Sequence, residues 1–382
     1  MAWRVPLSDL DYGEAEKDAA LRVLASRWLT SGPEVQAFEA EFAAMVGVPQ
    51  AVACSSATAG LHLAFLAVGV GPGDEVIQPA LNFVAAANMT IACGARPVFA
   101  DICALEEPTL DPGEVEGLIT PRTKAVVAMH YGGNLCRMAD LKRLCERRGI
   151  ILIEDACHAV GARYGDGSGR GPEGLMAGAI GDLGTFSFFS NKNLATGEGG
   201  MVTTHGAELA ERLRRLRSHG MTAPTWDRHR GHASSYGVVL HGYNYRLDEL
   251  HAALGRAQLA KLAGNNGRRR SLLSRYGARI AGAAGAWRMP FAERICGSAG
   301  HLMVALAPDG AQREQAVRRL REAEIQSSLH YPCIADFEAF EAFRGARLAQ
   351  TRRFVERAIT LPLYPTMSPD SVDIVCDILL GR

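Results

Sequence analysis

The sequence predicts an α/β protein. A large portion is built on a mostly parallel sheet with helices on both faces, and a smaller α+β portion follows at the C-terminus. Two observations carry this expectation. As far as about residue 260, short apolar runs alternate with stretches whose apolar residues recur at helical spacing, the rhythm of strand–helix–strand crossovers. After Arg246 that rhythm gives way to long helical patterns. The composition agrees: 382 residues, 48% hydrophobic, 21% charged and 7% aromatic, suffice for a sizeable core and suggest two domains.

In chain order, Val35, Phe38, Phe42 and Met45 recur at helical spacing and predict an amphipathic helix over 34–45. Strands are expected at 51–54, 75–78, 97–100, 125–129 and 150–153, where apolar runs end in polar or small residues. Helices are expected between them at 59–68, 84–93 and 138–148. Two further strands, 186–189 and 200–204, precede a helix at 207–217. The stretch 222–243 is polar, rich in Gly and His and unpatterned, and reads as a long surface excursion. Helices at 247–262 and 268–281, a strand at 302–306, and helices at 312–323, 350–358 and 371–379 complete the chain. This division predicts a large domain over 1–255 and a small one over 256–382.

Charge and motif content exclude several function classes. Lys and Arg number 41 and Asp and Glu also 41, so the basic surplus of a nucleic-acid binder is missing. The nine cysteines are odd in number and scattered without a CxxC pair, which predicts reduced, intracellular thiols. The N-terminus lacks the apolar core of a signal peptide, and the longest apolar stretch, 57–71, is too short and interrupted to span a bilayer. A cytoplasmic protein without a membrane partner is expected. The eleven histidines show no metal-ligand spacing, so no metal is expected. Gly165–Gly169 has no preceding strand and no GxGxxG spacing, and no Walker A sequence occurs.

Of the 41 basic residues only five are lysines: Lys17, Lys124, Lys142, Lys192 and Lys261. Four sit in helical patterns or at a strand entrance. Lys192 alone lies between a strand-like stretch with Ser187 and Ser190 and the Gly-rich turn 197–200. A neutral lysine amine attacks carbonyls and forms the Schiff base that tethers pyridoxal phosphate (PLP), which a guanidinium cannot do. The segment alone also fits an ordinary loop lysine. Asp155 ends a buried-type strand, where a carboxylate can pair with a pyridine nitrogen or cap the next helix, and His158 follows three residues on. Ser56, Ala57 and Thr58 stand at a strand-to-helix junction, which suits a phosphate or a plain serine cap. Phe83 is a candidate ring-stacking residue or a core aromatic.

Taken in order, these segments resemble the sugar-nucleotide aminotransferases of the DegT/StrS group over nearly the whole chain. The resemblance runs through Trp28–Pro33, Ser56–Thr58, Gly71–Val76, Pro79–Phe83, Arg96–Asp101, Glu154–His158, Ser187 with Lys192, Gly197–Gly200 and Gly242–Glu249. It implies a three-layer αβα PLP-transferase fold of the aspartate-aminotransferase type and a homodimer with shared active sites. Lys192 would be the Schiff-base lysine and proton carrier, Asp155 the partner of the pyridine nitrogen, and His158 the neighbour of the ring oxygen. Ser56, Ala57, Thr58 and Ser187 would hold the cofactor phosphate, Phe83 would stack on the ring, and Asn244 would reach the phosphate of the other subunit's cofactor. His330 falls where relatives approach the sugar. The implied reaction moves an amino group from glutamate or glutamine to a keto sugar, a nucleotide-linked 4-keto- or 3-keto-deoxysugar. The alternatives are an aminotransferase for a cyclitol or other non-nucleotide ketone, and a non-catalytic PLP-binding regulator. A related deoxygenating branch carries His at the lysine position, and Lys192 speaks against it. Three departures stand out. Ala57 replaces a usual Gly, which requires a negative φ. His130-Tyr-Gly-Gly-Asn134 replaces His-Leu-Tyr-Gly-Gln. The segment 223–238 has no pattern and is where substrate choice is expected to reside.

Overall fold

The computed structural model describes residues 3–164, 174–223, 226, 229–231, 235–283, 285–345 and 347–382. Gly165–Gly169 and parts of 222–243 and 223–238 lie outside these residues. Seven described strands form one sheet: β1 (Gln50–Cys54), β2 (Glu75–Pro79), β3 (Arg96–Ala100), β4 (Thr123–Met129), β5 (Ile151–Asp155), β6 (Leu183–Ser187) and β7 (Gly200–Thr204). Their order is β1-β7-β6-β5-β4-β2-β3. β7 pairs antiparallel with both neighbours and every other pair is parallel, so six strands point their carboxyl ends the same way.

The alternation of side chains along a strand explains why both faces are covered. In β1, Ala51 and Ala53 enter one core and Val52 and Cys54 the other. The helices that supply the two layers are α1 (Glu14–Ser26), α2 (Pro33–Val46), α3 (Ala57–Ala67), α4 (Ala85–Ala92), α5 (Pro112–Leu118), α6 (Met138–Arg148) and α7 (Ala207–Arg217). The helical spacing read at 34–45 is the buried stripe of α2. Phe38 and Phe42 meet Phe188 at ring-centroid distances of 5.2 and 5.5 Å, which anchors the chain just after β6.

Three expectations need correction. The helices expected at 247–262 and 268–281 are one 33-residue helix, α8 (Glu249–Ala281). Gly264, Asn265, Asn266 and Gly267 look like a break, but Asn265 and Asn266 are buried and Asn266 bonds across to other segments. Tertiary hydrogen bonds here outweigh low helix propensity. The strand expected at 186–189 lies at Leu183–Ser187. Gly184 lies within it, and a glycine is needed there, since a Cβ would come within 2.5 Å of the Gly178 Cα. After β8 (Met303–Leu306), α9 (Gly310–Glu322) and α10 (Ala349–Arg357), a short strand absent from the expectation, β9 (Ala358–Leu361), pairs antiparallel with β8. α11 (Pro369–Leu380) ends the fold.

Residue 255 falls inside α8. Ala252 and Leu262 belong to the large core, whereas Leu272, Leu273, Tyr276 and Ile280 join the C-terminal one, as does Val5. The helix thus contributes to both cores, and Val5 near the N-terminus packs into the C-terminal one. Among the described residues no helix is long and apolar enough to cross a membrane, and no group of His, Cys, Asp or Glu is arranged to hold a metal ion. All nine cysteines are free.

Candidate active site

Ligands of open α/β sheets bind beyond the carboxyl ends of the strands, and there a cavity of about 390 Å³ opens. Ser56, Ala57, Thr58, Phe83, Asp155, His158, Ser187, Lys192 and His330 all line it. The sheet explains the convergence. Ser56–Thr58 follow β1, Phe83 follows β2, Asp155 ends β5, Ser187 ends β6, and Lys192 lies in the turn joining β6 to β7. Asn244 is not brought in. It sits exposed on the surface, bridged to Ser218.

At the β1 end, Ser56 caps α3 by accepting the Ala59 N–H at 3.1 Å. The first N–H groups of a helix have no partner within it, and Ala57 and Thr58, the first two residues of α3, line the cavity. Ser56 thus caps the helix while the same junction lines the cavity. Ala57 is the first residue of α3 and does not have a positive φ, so the replaced glycine costs nothing. The glycine that matters is Gly200 on the adjacent strand. A Cβ there would lie 2.5 Å from the Ser56 carbonyl carbon and 2.7 Å from the Ala57 nitrogen, in the same cradle.

Asp155 is buried. Its carboxylate accepts from Asn82 Nδ2 and from the Cys157 N–H, each at 3.2 Å. Those bonds fix its orientation at the cavity floor. The preceding residue, Glu154, faces the opposite side of the sheet. It accepts from the N–H groups of Gly178, Ile180 and Gly181 and from His130 Nε2. His130 is itself held as that donor because the Cys136 N–H occupies its Nδ1. Although burial alone would raise it, these donors, His130 foremost, bring the Glu154 carboxyl below its ordinary range.

Lys192 is partly buried. Its N–H bonds the Phe189 carbonyl at 2.8 Å, and Phe188 in the aromatic cluster anchors the turn. Burial lowers the pKa of its amine, while Cys157 and Asp155 pull it the other way. A lysine depressed in this way supplies the neutral, nucleophilic amine more readily. His158 is buried, and desolvation first, then the Lys192 charge, hold its pKa well below 6.5. Its Nε2 lies 2.8 Å from the Tyr331 hydroxyl. Phe83 is 55% exposed, which separates it from a core aromatic and leaves its ring available to a planar ligand. His330 bonds Thr360 Oγ1 through Nδ1 at 3.1 Å, and burial followed by the Lys192 charge lowers its pKa to about 4.

Several residues of the site were not singled out from the sequence. Asn82 and Tyr331 lay beside Phe83 and His330, so adjacency was the available signal. Asn191 lines the cavity, and its Oδ1 is buried without a hydrogen-bond partner among the described residues. Glu198, read as part of a turn, also borders the cavity. The cavity thus combines a helix N-terminus with hydroxyls at one end, a carboxylate on its floor, an exposed ring and an unpaired buried amide. That donor set fits a planar, phosphate-bearing, nitrogen-containing ring beside an amine nucleophile.

Fold and cavity together define an aminotransferase of the α/β type. The chain belongs to the DegT/DnrJ/EryC1/StrS aminotransferase family, whose model matches residues 11–380. It is similar to the spore coat polysaccharide biosynthesis protein SpsC of Bacillus subtilis (strain 168), at 40% identity over 96% of this chain and 93% of that protein. Among solved structures, the aminotransferase TlmJ from Streptoalloteichus hindustanus superposes with a TM-score of 0.89 at 34% identity, covering 100% of this chain and 98% of TlmJ. DesV of S. venezuelae, solved with a ketimine intermediate, gives the same TM-score of 0.89, identity of 34% and coverages of 100% and 98%.

Proposed function

We propose that the protein is a PLP-dependent aminotransferase that moves an amino group from glutamate or glutamine to a keto sugar, a nucleotide-linked 4-keto- or 3-keto-deoxysugar. The observation that carries the reading is Lys192: an amine of depressed pKa in the same cavity as the Asp155 carboxylate and the α3 N-terminus. The family's enzymes work with PLP, and a relative named for polysaccharide biosynthesis supports a sugar acceptor.

Ser56, Ala57, Thr58 and Ser187 would hold the cofactor's phosphate, Phe83 would cover its ring, and Asp155 would face the ring nitrogen. When bound, the cofactor supplies an electrophilic carbonyl and an electron-withdrawing ring. Asp155 keeps a proton on that nitrogen through its charge, with Asn82 and the Cys157 N–H holding the carboxylate in place. His158, neutral, offers a hydrogen bond without competing for protons. Lys192 takes the proton from the amino donor's carbon and, in the second half-reaction, delivers one to the carbon of the sugar that becomes aminated. His330 borders the acceptor's side of the cavity.

The protein would act in the cytoplasm as a homodimer, with the exposed Asn244 reaching the partner's cofactor phosphate. Titration with PLP, followed by its visible absorption, tests the cofactor. Purified protein is expected to bind PLP, and Lys192→Ala to lose the absorption band of the lysine-bound form. Turnover of a panel of nucleotide-linked keto sugars, with glutamate and then with glutamine, tests donor and acceptor. A protein that ignores PLP would overturn the reading. Activity confined to non-nucleotide ketones would overturn the acceptor assignment.

A further inference from the structure

Beneath the cavity wall, a chain of buried polar side chains links the lysine turn to the C-terminal part. Its members are Asn266 on α8, Asn193 next to Lys192, and His301 just before β8. The direction of every hydrogen bond in it is set by two backbone carbonyls, which can only accept. The Val160 carbonyl takes Asn266 Nδ2 at 2.9 Å, so Asn266 presents its Oδ1 to Asn193, whose Nδ2 donates at 2.8 Å. The Ala299 carbonyl takes the same Asn193 nitrogen at 2.7 Å. Both amide hydrogens of Asn193 are then used, and its Oδ1 faces His301 Nδ1 at 2.9 Å. That oxygen has only lone pairs to offer, so His301 must carry its hydrogen on Nδ1.

The His301 ring lies against His158 with centroids 4.3 Å apart. Gly132 ties the two together, donating its N–H to His158 Nδ1 at 3.4 Å and accepting the His301 N–H at 3.1 Å. With Nδ1 of His158 accepting, its Nε2 bears the hydrogen and points it at the Tyr331 hydroxyl.

We propose that Asn193, oriented by Asn266 and Ala299, is a positioning residue that locks His301 as the neutral Nδ1–H tautomer, packed against His158, which the Gly132 N–H holds as the neutral Nε2–H donor at the cavity wall. The groups facing His301 agree. Burial first, then the cationic Lys192 and Arg269 nearby, keep its pKa well below 6.5. Arg269 stands one turn along α8 from Asn266 and bonds the Leu363 carbonyl at 2.8 Å, without a carboxylate partner among the described residues. The wall beside Lys192 is thereby built of imidazoles that do not take its proton.

The catalytic consequence rests on the proposed role of Lys192, whereas the tautomer lock does not, and the test separates them. The full chain with ¹⁵N-labelled histidine is followed by two-bond ¹⁵N–¹H correlation, without and with PLP, using His301→Gln to assign the His301 signals. His301 is expected as a single Nδ1–H tautomer that stays neutral from pH 8 to about pH 5.5. In Asn193→Ala the single tautomer is lost, and kcat falls about ten- to a hundredfold with KM little changed. In Asn193→Asp a carboxylate faces Nδ1, and the His301 titration midpoint rises by about one to three pH units. His301→Gln keeps an amide donor toward Asn193, and the His158 tautomer, set by the Gly132 N–H, should persist in it. An Nε2–H or charged His301 at pH 7 in the unaltered protein overturns the lock, whether or not any variant folds. So does an unchanged tautomer in Asn193→Ala. A lock found intact in a protein that ignores PLP would instead sink the proposed function.

Discussion

Glu154 and Asp155 are neighbours on β5, both carboxylates and both buried, yet they serve opposite ends. Glu154 is saturated by three backbone N–H groups and a histidine on the closed side of the sheet. Asp155 has two fixing contacts and faces a cavity. One residue of register separates a carboxylate completed within the protein from one left open to the cavity. The general lesson concerns what completes each group. A structural charge is satisfied within the protein, and a functional one keeps an open side.

The largest expected effects belong to the open side. Lys192→Ala should cut turnover by about 10³-fold or more while circular dichroism and thermal midpoint remain near those of the unaltered protein. Asp155→Asn should lower kcat by about 10²-fold or more with little loss of stability. Glu154→Gln should do the reverse, costing about 3–5 kcal/mol of unfolding free energy in urea while the folded fraction keeps its kcat. Equal effects of the two substitutions on both measurements would erase the contrast. Gly200→Ala, which crowds Ser56 and Ala57, should cost about 1–3 kcal/mol and weaken PLP binding, read by titration of the visible band.

The smallest effect is a pH dependence that also sorts the two sides. His158 and His301 have folded pKa values below the usual 6.5, so the unfolded chain binds more protons as pH falls through that value. Stability is then lost on acidification from about pH 6.5, at roughly 1.4 kcal/mol per pH unit for each histidine. Glu154, with a folded pKa below the usual 4.5, contributes stability that is present above that value and lost as pH falls further toward its folded pKa. Urea melts from pH 7 to 4 should show the histidine slope first, and His158→Gln should flatten it by up to one proton. A slope that begins only below pH 4.5 would contradict the neutral histidine wall.

Much of the site was legible because its residues lie at the ends of short, strongly patterned strands. Ser56, Asp155, Ser187 and Lys192 each follow an apolar run, and a parallel sheet gathers such ends at one edge. What escaped depends on contacts between distant segments. Asn193 meets Asn266 across 73 positions and His301 across 108, and none of the three stands in a motif. The same contacts carry α8 through Gly264–Gly267, where local propensity argues for a break. The four residues of β9 make too short a run to be told from the end of the preceding helix.

By itself, the sequence determined the α/β class, the strand–helix rhythm, the family resemblance and the single lysine suited to carbonyl chemistry, because these depend on residue type and local spacing. Tertiary structure alone decided which donors complete each carboxylate, which nitrogen of each histidine bears the hydrogen, and how the C-terminal part braces the lysine turn. Those outcomes depend on which donor meets which acceptor across the fold. In a buried site, each such meeting is enforced by the cost of leaving a polar group unpaired.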